Sequence, residues 1–360
     1  MFGTILFRVD ASNLIGSGHL MRCLALASEA RLRGWRSIFV MRDPSSASID
    51  KVKVSGHELH ILVEADKKKI LGINDLTHSD WLAVSQETDA LETSNLIKNI
   101  IPDWVVVDHY AIDAVWHETI RKTGAKLLVI DDLADRVLDC DILVNQNLGF
   151  LIKDYDEKIK TDTKIFLGPK YAILRPEFRE WREFSLNRRK APILNKVLIS
   201  MGGVDAQNKT LKILQTLEKS INAVECEFVV VLGAFYPFSY EIDKFIESSV
   251  NKITKLSNIV NIGEIMANSD ICIGAAGTSS WERCCLGLPT LTFIIADNQT
   301  RIASSLNEQH SAVRTDIKNL KTEFETLFQT GGLNKLKYLT KKSSELCDGF
   351  GALRILESLE

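Results

Sequence analysis

The sequence lacks the features that mark several large classes of protein. No apolar run approaches the ~18 residues of a membrane-spanning helix, and the N-terminus has no basic segment of the kind that opens a signal peptide. The seven cysteines form no C-x-x-C pair, and the net charge of −3 gives none of the basic excess that nucleic-acid binders carry. These absences predict a cytoplasmic protein with reduced thiols, without a membrane span and without a nucleic-acid partner.

The length of 360 residues is that of about two domains. Short apolar segments alternate with segments of helical periodicity, which predicts parallel sheets covered by helices on both faces. The pattern restarts after a basic segment at 185–195 that contains Pro192. We therefore predict an α/β protein with two Rossmann-like, doubly wound domains, residues 1–188 and 189–360, which face each other across a cleft as in the GT-B arrangement.

A glycine turn joins the first predicted strand to the first predicted helix. It reads Gly16-Ser17-Gly18, and His19 follows at the start of the helix. Glycine permits a sharp turn and the close approach of a ligand, and a helix N-terminus favours an anion. Because histidine accepts a proton near neutral pH, His19 is a candidate base; the alternative is a histidine that only caps the helix. Met21 replaces the third glycine of the dinucleotide fingerprint, so the turn is not that motif.

Polar residues follow the other predicted strands of the first half, at 104–108, 126–130 and 142–145. Ligands gather at the carboxyl ends of strands in such sheets. The residues predicted to share this edge are Asp10, Asp108, His109 and Asp131. Residues 50–80 have no clear periodicity, and lysines 67–69 within them are interpreted as a solvated surface.

The second half repeats the order of strand, glycine turn and helix. A strand at 197–200 leads into Gly202-Gly203, and a strand at 271–274 leads into Gly277-Thr278-Ser279-Ser280, which opens a helix. The N–H groups and hydroxyls of the second loop suit a pyrophosphate. Glu282, in the first turn of that helix, suits the hydroxyls of a ribose; alternatively it only complements the helix dipole. Another short strand is predicted around 259–260.

Arg175 precedes a predicted helix that begins with Pro176. Its guanidinium can pair with a diphosphate; the alternative is a surface ion pair. No metal is predicted. His57 and His60 lack further ligands at suitable spacing, and the Asp139-x-Asp141 pattern precedes a strand instead of following one.

Together these segments resemble the UDP-2,4-diacetamido-2,4,6-trideoxy-β-L-altropyranose hydrolases of bacterial pseudaminic acid synthesis. The most specific match is Arg8-Val9-Asp10-Ala11-Ser12 followed by residues 15–23. The other matching segments are 80–82, 86–90, 107–110, 130–134, 168–178, 200–205 and 275–284. The resemblance extends over about residues 4–300 and implies a GT-B fold related to the MurG-type glycosyltransferases.

The resemblance implies that His19 is the catalytic base, Arg175 a substrate contact and Glu282 a contact to UDP. We predict that the remaining substrate-binding residues are Asp10, Gly16, Gly18, Asp108 and Tyr110. The remaining UDP-binding residues are predicted to be Gly202, Gly203, Gly277, Thr278, Ser279 and Ser280. On this interpretation the first domain holds the sugar and the water, and the second domain holds UDP.

The expected reaction is an inverting attack of water on the anomeric carbon of a UDP-sugar, independent of metal and of any cofactor, by a monomer. Its product would serve pseudaminic acid synthesis for flagellin or another surface glycan. Two alternatives remain open: a GT-B glycosyltransferase that acts on a UDP-sugar, and a non-catalytic partner that binds a nucleotide sugar.

Overall fold

The chain divides into two compact units in a computed structural model that describes residues 3–12, 14–63, 76–233, 236–257 and 259–360. The first unit is Met1–Arg175 with Gly351–Glu360, and the second is Pro176–Phe350. The division therefore falls earlier than the predicted boundary at 188, and residues 351–360 belong to the first unit instead of the second. Lysines 67–69 lie outside the described residues.

The first unit is built on one parallel sheet. Its strands are β1 (Thr4–Val9), β2 (Arg36–Met41), β3 (Glu58–Ile61), β4 (Trp104–Asp108), β5 (Lys126–Ile130), β6 (Ile142–Asn145) and β7 (Lys164–Leu167). They lie in the order β3-β2-β1-β4-β5-β6-β7. The sequence does not predict β7, because three of its four residues are exposed or only half-buried.

Helices cover both faces of this sheet. They are α1 (Gly18–Leu32), α2 (Ser46–Val54), α3 (Gln86–Ile100) and α4 (Ala114–Arg121), with a short 3₁₀ turn at Ser79–Leu82. Successive residues of β1 point to opposite faces: Phe7 joins the core beneath α1 and stacks on Phe39, whereas Leu6 joins the core that contains Trp116. The sheet is therefore buried on both sides, as its continuous apolar strands predict.

The second unit is built in the same way. Its strands are β8 (Lys196–Ser200), β9 (Glu227–Leu232), β10 (Lys252–Ser257), β11 (Ile271–Ala275), β12 (Thr290–Phe293) and β13 (Val313–Arg314), parallel in the order β10-β9-β8-β11-β12-β13. The strand predicted around 259–260 is wrong: those residues precede a helix, and the strand is β10. Only Ile253 and Leu256 of its six residues are apolar, so this edge strand does not appear in a search for apolar runs.

The helices of the second unit are α5 (Pro176–Arg188), α6 (Lys209–Leu217), α7 (Ser239–Ser248), α8 (Ile262–Ala267), α9 (Ser279–Cys285), α10 (Thr300–Glu308), α11 (Leu320–Thr326) and α12 (Gly332–Leu346). The first of them, α5, packs against α8 and α9, which explains why the second unit begins at Pro176. None of the described helices has the length and the apolar character that a bilayer crossing requires.

The last helix, α13 (Gly351–Leu356), completes the first unit. It packs against α1, and the side chains of Ile355, Leu356 and Leu359 are buried in the same core as Phe7. The indole of Trp104 donates a hydrogen bond to the carbonyl of Leu359 over 3.1 Å. The C-terminal residues are thus an integral part of the first unit.

Both sheets reverse their strand order at one point. In the first sheet the reversal lies between β1 and β4, and in the second between β8 and β11. Ligands of open parallel sheets bind beyond the carboxyl ends of the strands at such a point. The predicted glycine turns follow β1, β8 and β11, so each lies where the topology favours a ligand.

Candidate active site

His19 lies at the strand reversal of the first sheet and contacts a carboxylate. Gly16 has a φ of 80°, a left-handed conformation that favours glycine, and it turns the chain so that α1 starts at Gly18. His19 Nδ1 is 2.6 Å from Oδ1 of Asp108, the last residue of β4. The histidine therefore pairs with the neighbouring strand and does not cap its own helix.

Asp108 is completely buried, yet its surroundings favour the ionised carboxylate. Burial alone would raise the pKa of this carboxyl, but the charges of Arg22 and His19 outweigh burial and hold it well below its ordinary value. Arg22 donates to both carboxylate oxygens, from Nε over 2.5 Å and from Nη2 over 2.6 Å. An ionised carboxylate only accepts hydrogen bonds, so Nδ1 of His19 is the donor in this contact. In the neutral imidazole, Nε2 is then the nitrogen that can accept a proton.

A second carboxylate, Asp132, extends this network. It accepts hydrogen bonds from Arg22 Nη1 over 2.7 Å, from Tyr110 Oη over 2.6 Å and from Asn147 Nδ2 over 2.6 Å. The side chain of Tyr110 meets His19 edge-on, with ring centroids 4.6 Å apart. The predicted residues His19, Asp108 and Tyr110 are therefore brought together by Arg22 and Asp132, two residues to which the sequence interpretation assigns no role.

Asp10 lies at the same edge but faces groups of the chain itself. It is 3% exposed, with Oδ1 2.7 Å from Arg8 Nη1 and from the backbone N–H of Arg42, and with Oδ2 3.2 Å from His109 Nε2. Arg8 and Arg42 also bind Asp89, which ties β1 and β2 to α3. These contacts give Asp10 and His109 a role in joining strands, and a contact of Asp10 with substrate stays a prediction.

Asp131 is bound by partners other than the His19 network. Its carboxylate accepts hydrogen bonds from the hydroxyl of Tyr155, from the guanidinium of Arg136 and from the backbone N–H of Ala134. It therefore stabilises the loop after β5, and the next residue, Asp132, is the one that reaches the cluster. Sequence position alone does not distinguish these adjacent carboxylates, because both follow the same strand.

In the second unit, Gly202 and Gly203 form an exposed turn after β8. Gly202 has a φ of 90°, and a Cβ at either position would meet nothing within 4 Å. Gly233, at the end of β9, lies against this turn: a Cβ there would lie 2.2 Å from the carbonyl oxygen of Gly203. The backbone of Gly202 and Gly203 is therefore open to a ligand, and the close approach of β9 to this turn requires a glycine at position 233.

The second predicted loop follows β11 and leads into α9. Thr278 is exposed, and a Cβ at Gly277 would meet only Gln299 Nε2, at 3.8 Å. The buried Arg283 donates to the hydroxyls of Ser279 and Ser280 over 2.9 and 3.0 Å, and to the carbonyl of Ala275 over 2.7 Å. Arg283 thus holds the loop in shape from beneath.

The roles predicted for Arg175 and Glu282 in binding substrate and UDP stay predictions. Arg175 is the last residue before α5, and Glu282 lies in the first turn of α9. Among the residues that the structure describes, no group of three or more His, Cys, Asp and Glu side chains is arranged to hold a metal ion.

Three curated proteins show the sequence relationship, although no protein-family model matches the chain. An uncharacterized protein of Methanocaldococcus jannaschii is 30% identical over 288 residues, which cover 78% of this chain and 54% of that protein. The UDP-2,4-diacetamido-2,4,6-trideoxy-beta-L-altropyranose hydrolase of Campylobacter jejuni is 30% identical over 218 residues, which cover 60% of this chain and 66% of that protein. The spore coat polysaccharide biosynthesis protein SpsG of Bacillus subtilis is 24% identical, with 96% of this chain and 94% of that protein covered. The chain thus spans only about half to two thirds of the first two relatives.

Solved structures show the fold. The chain superposes on MurG of Acinetobacter baumannii with a TM-score of 0.66 and 15% identity, and 99% of each chain is covered. It superposes on the UDP-GlcNAc 2-epimerase of Neisseria meningitidis with a TM-score of 0.64 and 12% identity, again with 99% of each chain covered. The chain therefore has the GT-B fold of MurG, and its motifs' resemblance to the UDP-diacetamido-trideoxy-altropyranose hydrolases is confirmed by the similarity to the Campylobacter enzyme.

Proposed function

We propose that this chain hydrolyses a UDP-linked sugar to UDP and free sugar, with His19 as the general base. The observation that carries the proposal is the 2.6 Å contact between His19 Nδ1 and Asp108 Oδ1 at the strand reversal of the first sheet. A histidine whose Nδ1 proton is held by a buried carboxylate presents Nε2 as a proton acceptor. The substrate that we propose is a UDP-linked 2,4-diacetamido-2,4,6-trideoxy sugar, as in the name of the Campylobacter relative.

In the proposed reaction, His19 Nε2 takes a proton from water while the water oxygen bonds to the anomeric carbon. The bond between that carbon and the β-phosphate oxygen breaks, and its electron pair leaves with UDP. Asp108 balances the charge of the imidazolium that forms. UDP is a good leaving group, so one base is sufficient, and a single displacement inverts the anomeric configuration. In this proposal the glycine turns of the second unit and Glu282 bind UDP, and Arg175 contacts its diphosphate.

The reaction can be tested by incubating the full chain in ¹⁸O-water with a panel of UDP-sugars that includes the diacetamido-trideoxy substrate. We expect ¹⁸O in the C1 hydroxyl of the sugar and none in UDP, with inverted configuration and full activity in EDTA. The His19→Ala variant is the control and should release no UDP. Label in the UDP phosphate would contradict attack at carbon, and UDP release that requires an added acceptor would identify a glycosyltransferase instead.

A further inference from the structure

An aromatic cluster, consisting of His78, Trp81 and Tyr110, lies beside His19. The rings of Trp81 and Tyr110 are stacked, with centroids 5.4 Å apart and planes inclined by 24°. The ring of His78 is 4.4 Å from Trp81 and 5.4 Å from Tyr110. His19 meets the edge of this cluster, 4.6 Å from Tyr110 and 6.0 Å from Trp81. The proposed base is therefore bordered by aromatic rings.

The members of the cluster differ in exposure. Tyr110 is 6% exposed and its hydroxyl is bound to Asp132, so it lies at the back of the cluster. Trp81 and His78 are only half-buried, so they form the part that a ligand can reach. Burial, with Arg136 and His19 nearby, lowers the pKa of His78 against the opposing charges of Asp135 and Asp80. A neutral His78 ring packs on an indole without the cost of burying a charge.

The backbone holds Trp81 in place. The indole is carried on the 3₁₀ turn Ser79–Leu82, which is anchored by the buried side chain of Leu82. The turn ends at Ala83, a non-glycine residue with a φ of 61°. Such a conformation costs about 1 kcal/mol or more and persists where the surroundings fix it. A rigid, partly exposed indole beside a candidate base is well suited to contact a ligand.

We propose that Trp81 and His78 bind the sugar part of the substrate, and that they contact the face of the sugar ring that carries C–H and methyl groups. The inference rests on the proposed function, because attack from His19 requires the anomeric carbon within one water of its Nε2. A six-membered sugar ring in that place lies within reach of the Trp81 indole, whose ring centroid is 6.0 Å from that of His19, and His78 packs on the same indole at 4.4 Å. The negative face of an indole attracts the weakly positive C–H groups of a sugar, and methyl groups add apolar contact area.

The inference specifies the kind of sugar. Deoxy and N-acetylated sugars offer methyl groups to an aromatic surface, whereas a hexose with free hydroxyls has to desolvate them against it. We therefore expect the cluster to favour 2-acetamido-2,6-dideoxy sugars over glucose. We expect this preference to depend on the sugar part of the substrate alone, and not on the UDP part.

The test uses the full chain and three variants: Trp81→Ala, Trp81→Phe and, as a matched control in the second unit, Trp181→Ala. The probe for binding is free 2-acetamido-2,6-dideoxy-D-glucose, observed by saturation-transfer NMR, with glucose for comparison. We expect transfer to the methyl protons of the probe in the wild type, in Trp81→Phe and in Trp181→Ala, and its loss in Trp81→Ala. In the hydrolysis assay Trp81→Ala should raise KM about tenfold with a smaller change in kcat, while the Kd of UDP stays the same.

Three results would overturn the inference. The first is the absence of saturation transfer in the wild type. The second is a fall in kcat at unchanged KM in Trp81→Ala, which would mean that the indole only orients His19. The third is a loss of affinity for UDP alone in Trp81→Ala that is as large as the loss for the UDP-sugar, which would place the uracil on the cluster. If the wild type binds the probe through Trp81 but releases UDP from no UDP-sugar, the proposed function fails and the sugar site stands.

Discussion

At the scale of single residues, Asp108 has a task different from that of His19. It is fully buried and touches the imidazole and Arg22, so it acts on the reaction through the orientation and the tautomer of the histidine. Asparagine in its place can turn an amide N–H towards Nδ1 of His19, where the carboxylate only accepts a hydrogen bond. This favours the His19 tautomer with the proton on Nε2, which cannot accept a proton from water there.

We therefore expect Asp108→Asn to reduce kcat for UDP release by about 10³- to 10⁴-fold with little change in UDP affinity. His19→Asn keeps a hydrogen bond but accepts no proton, and it should lose about 10²- to 10⁴-fold. Steady-state kinetics and calorimetry with UDP measure both effects. Asp135→Asn removes a half-exposed carboxylate paired with Arg136 and serves as control. Near-normal turnover in either of the first two variants would contradict the assignment of the base.

A second residue-scale prediction concerns pH and stability. His117 is completely buried, and burial, followed by the charge of Arg136, lowers its pKa from 6.5 to about 3. The unfolded chain therefore takes up this proton first, so the contribution of His117 to stability is nearly constant above pH 6.5 and falls as the pH drops from 6.5 towards 3. At pH 5 the loss amounts to about 2 kcal/mol.

His117→Asn tests this. The amide oxygen can replace Nδ1 as acceptor for the backbone N–H of Asp139, and the side chain does not titrate in this range. Urea unfolding between pH 7 and pH 5 should show a less steep decline in the variant than in the wild type, whatever its stability at pH 7. Parallel pH profiles would show that other groups cause the decline.

The residues of the site differ in how well the sequence predicts them. His19 and Asp108 follow from the glycine turn and from the carboxylate at a strand end, which are local signals. Arg22 lies one helical turn beyond His19 and could have been placed on the same face by its spacing. His78 lies in the segment 50–80, which has no clear periodicity, and Trp81 lies in the matching segment 80–82 without a role assigned to it. Only the fold brings both rings to Tyr110.

At the scale of elements, α9 and α8 offer a direct comparison. Both are short helices with a glutamate in the first turn, Glu282 in α9 and Glu264 in α8. The proposed function gives only Glu282 a ligand, since α9 follows a strand at the reversal of the second sheet.

Glu282→Ala should therefore weaken UDP binding by about 1–3 kcal/mol, the usual loss when buried hydroxyls lose a charged acceptor. Glu264→Ala should leave UDP affinity unchanged and reduce stability by less than about 1 kcal/mol, since it removes a favourable charge near a helix N-terminus and one long, exposed hydrogen bond from Asn261. Isothermal calorimetry with UDP and a thermal melt of each variant provide the two measurements. Equal UDP affinity in both variants would mean that Glu282 only complements the dipole of α9 and does not bind UDP.

The strands show why some elements are predictable and others are not. Central strands such as β1 and β4 are buried on both faces and are recognisable from short apolar runs, residues 5–7 in β1 and 104–107 in β4. The edge strand β10 has only two apolar residues, Ile253 and Leu256, and the edge strand β13 has only two residues in all, so neither produces such a run. The architecture follows from the centre of each sheet, and the errors lie at its edges.

At the scale of the whole molecule, the first unit is discontinuous in sequence. Gly351–Glu360 contributes three large buried side chains, Ile355, Leu356 and Leu359, to a core otherwise formed by residues before 176. The sequence does not predict this return, because the last residues carry no motif and their partners on α1 are more than 300 residues away.

Deletion of residues 351–360 should destabilise the first unit by about 5 kcal/mol or more, since each of the three side chains contributes roughly 1.5–3 kcal/mol when buried. Hydrogen exchange should show loss of protection in β1 and β4 and retained protection in β8 and β11. The control is Glu357→Ala with Glu360→Ala, which removes only the exposed ion pairs to Arg33 and should change stability by under about 1 kcal/mol. Equal loss of protection in both sheets would show that the units do not unfold separately.

Because residues 351–360 complete the first unit, the two units cannot complete their folding in the usual order during synthesis. Domains generally fold as they emerge, the N-terminal one first. Here the residues of the second unit, Pro176–Phe350, are contiguous and have all been synthesised before the first unit receives its final helix. Until residues 351–356 have been synthesised, the side of α1 that α13 covers stays open to water and to chaperones, although α1 precedes α13 by more than 300 residues. A messenger truncated just before the codon of Gly351 would therefore yield a chain with a complete second unit and an incomplete first one.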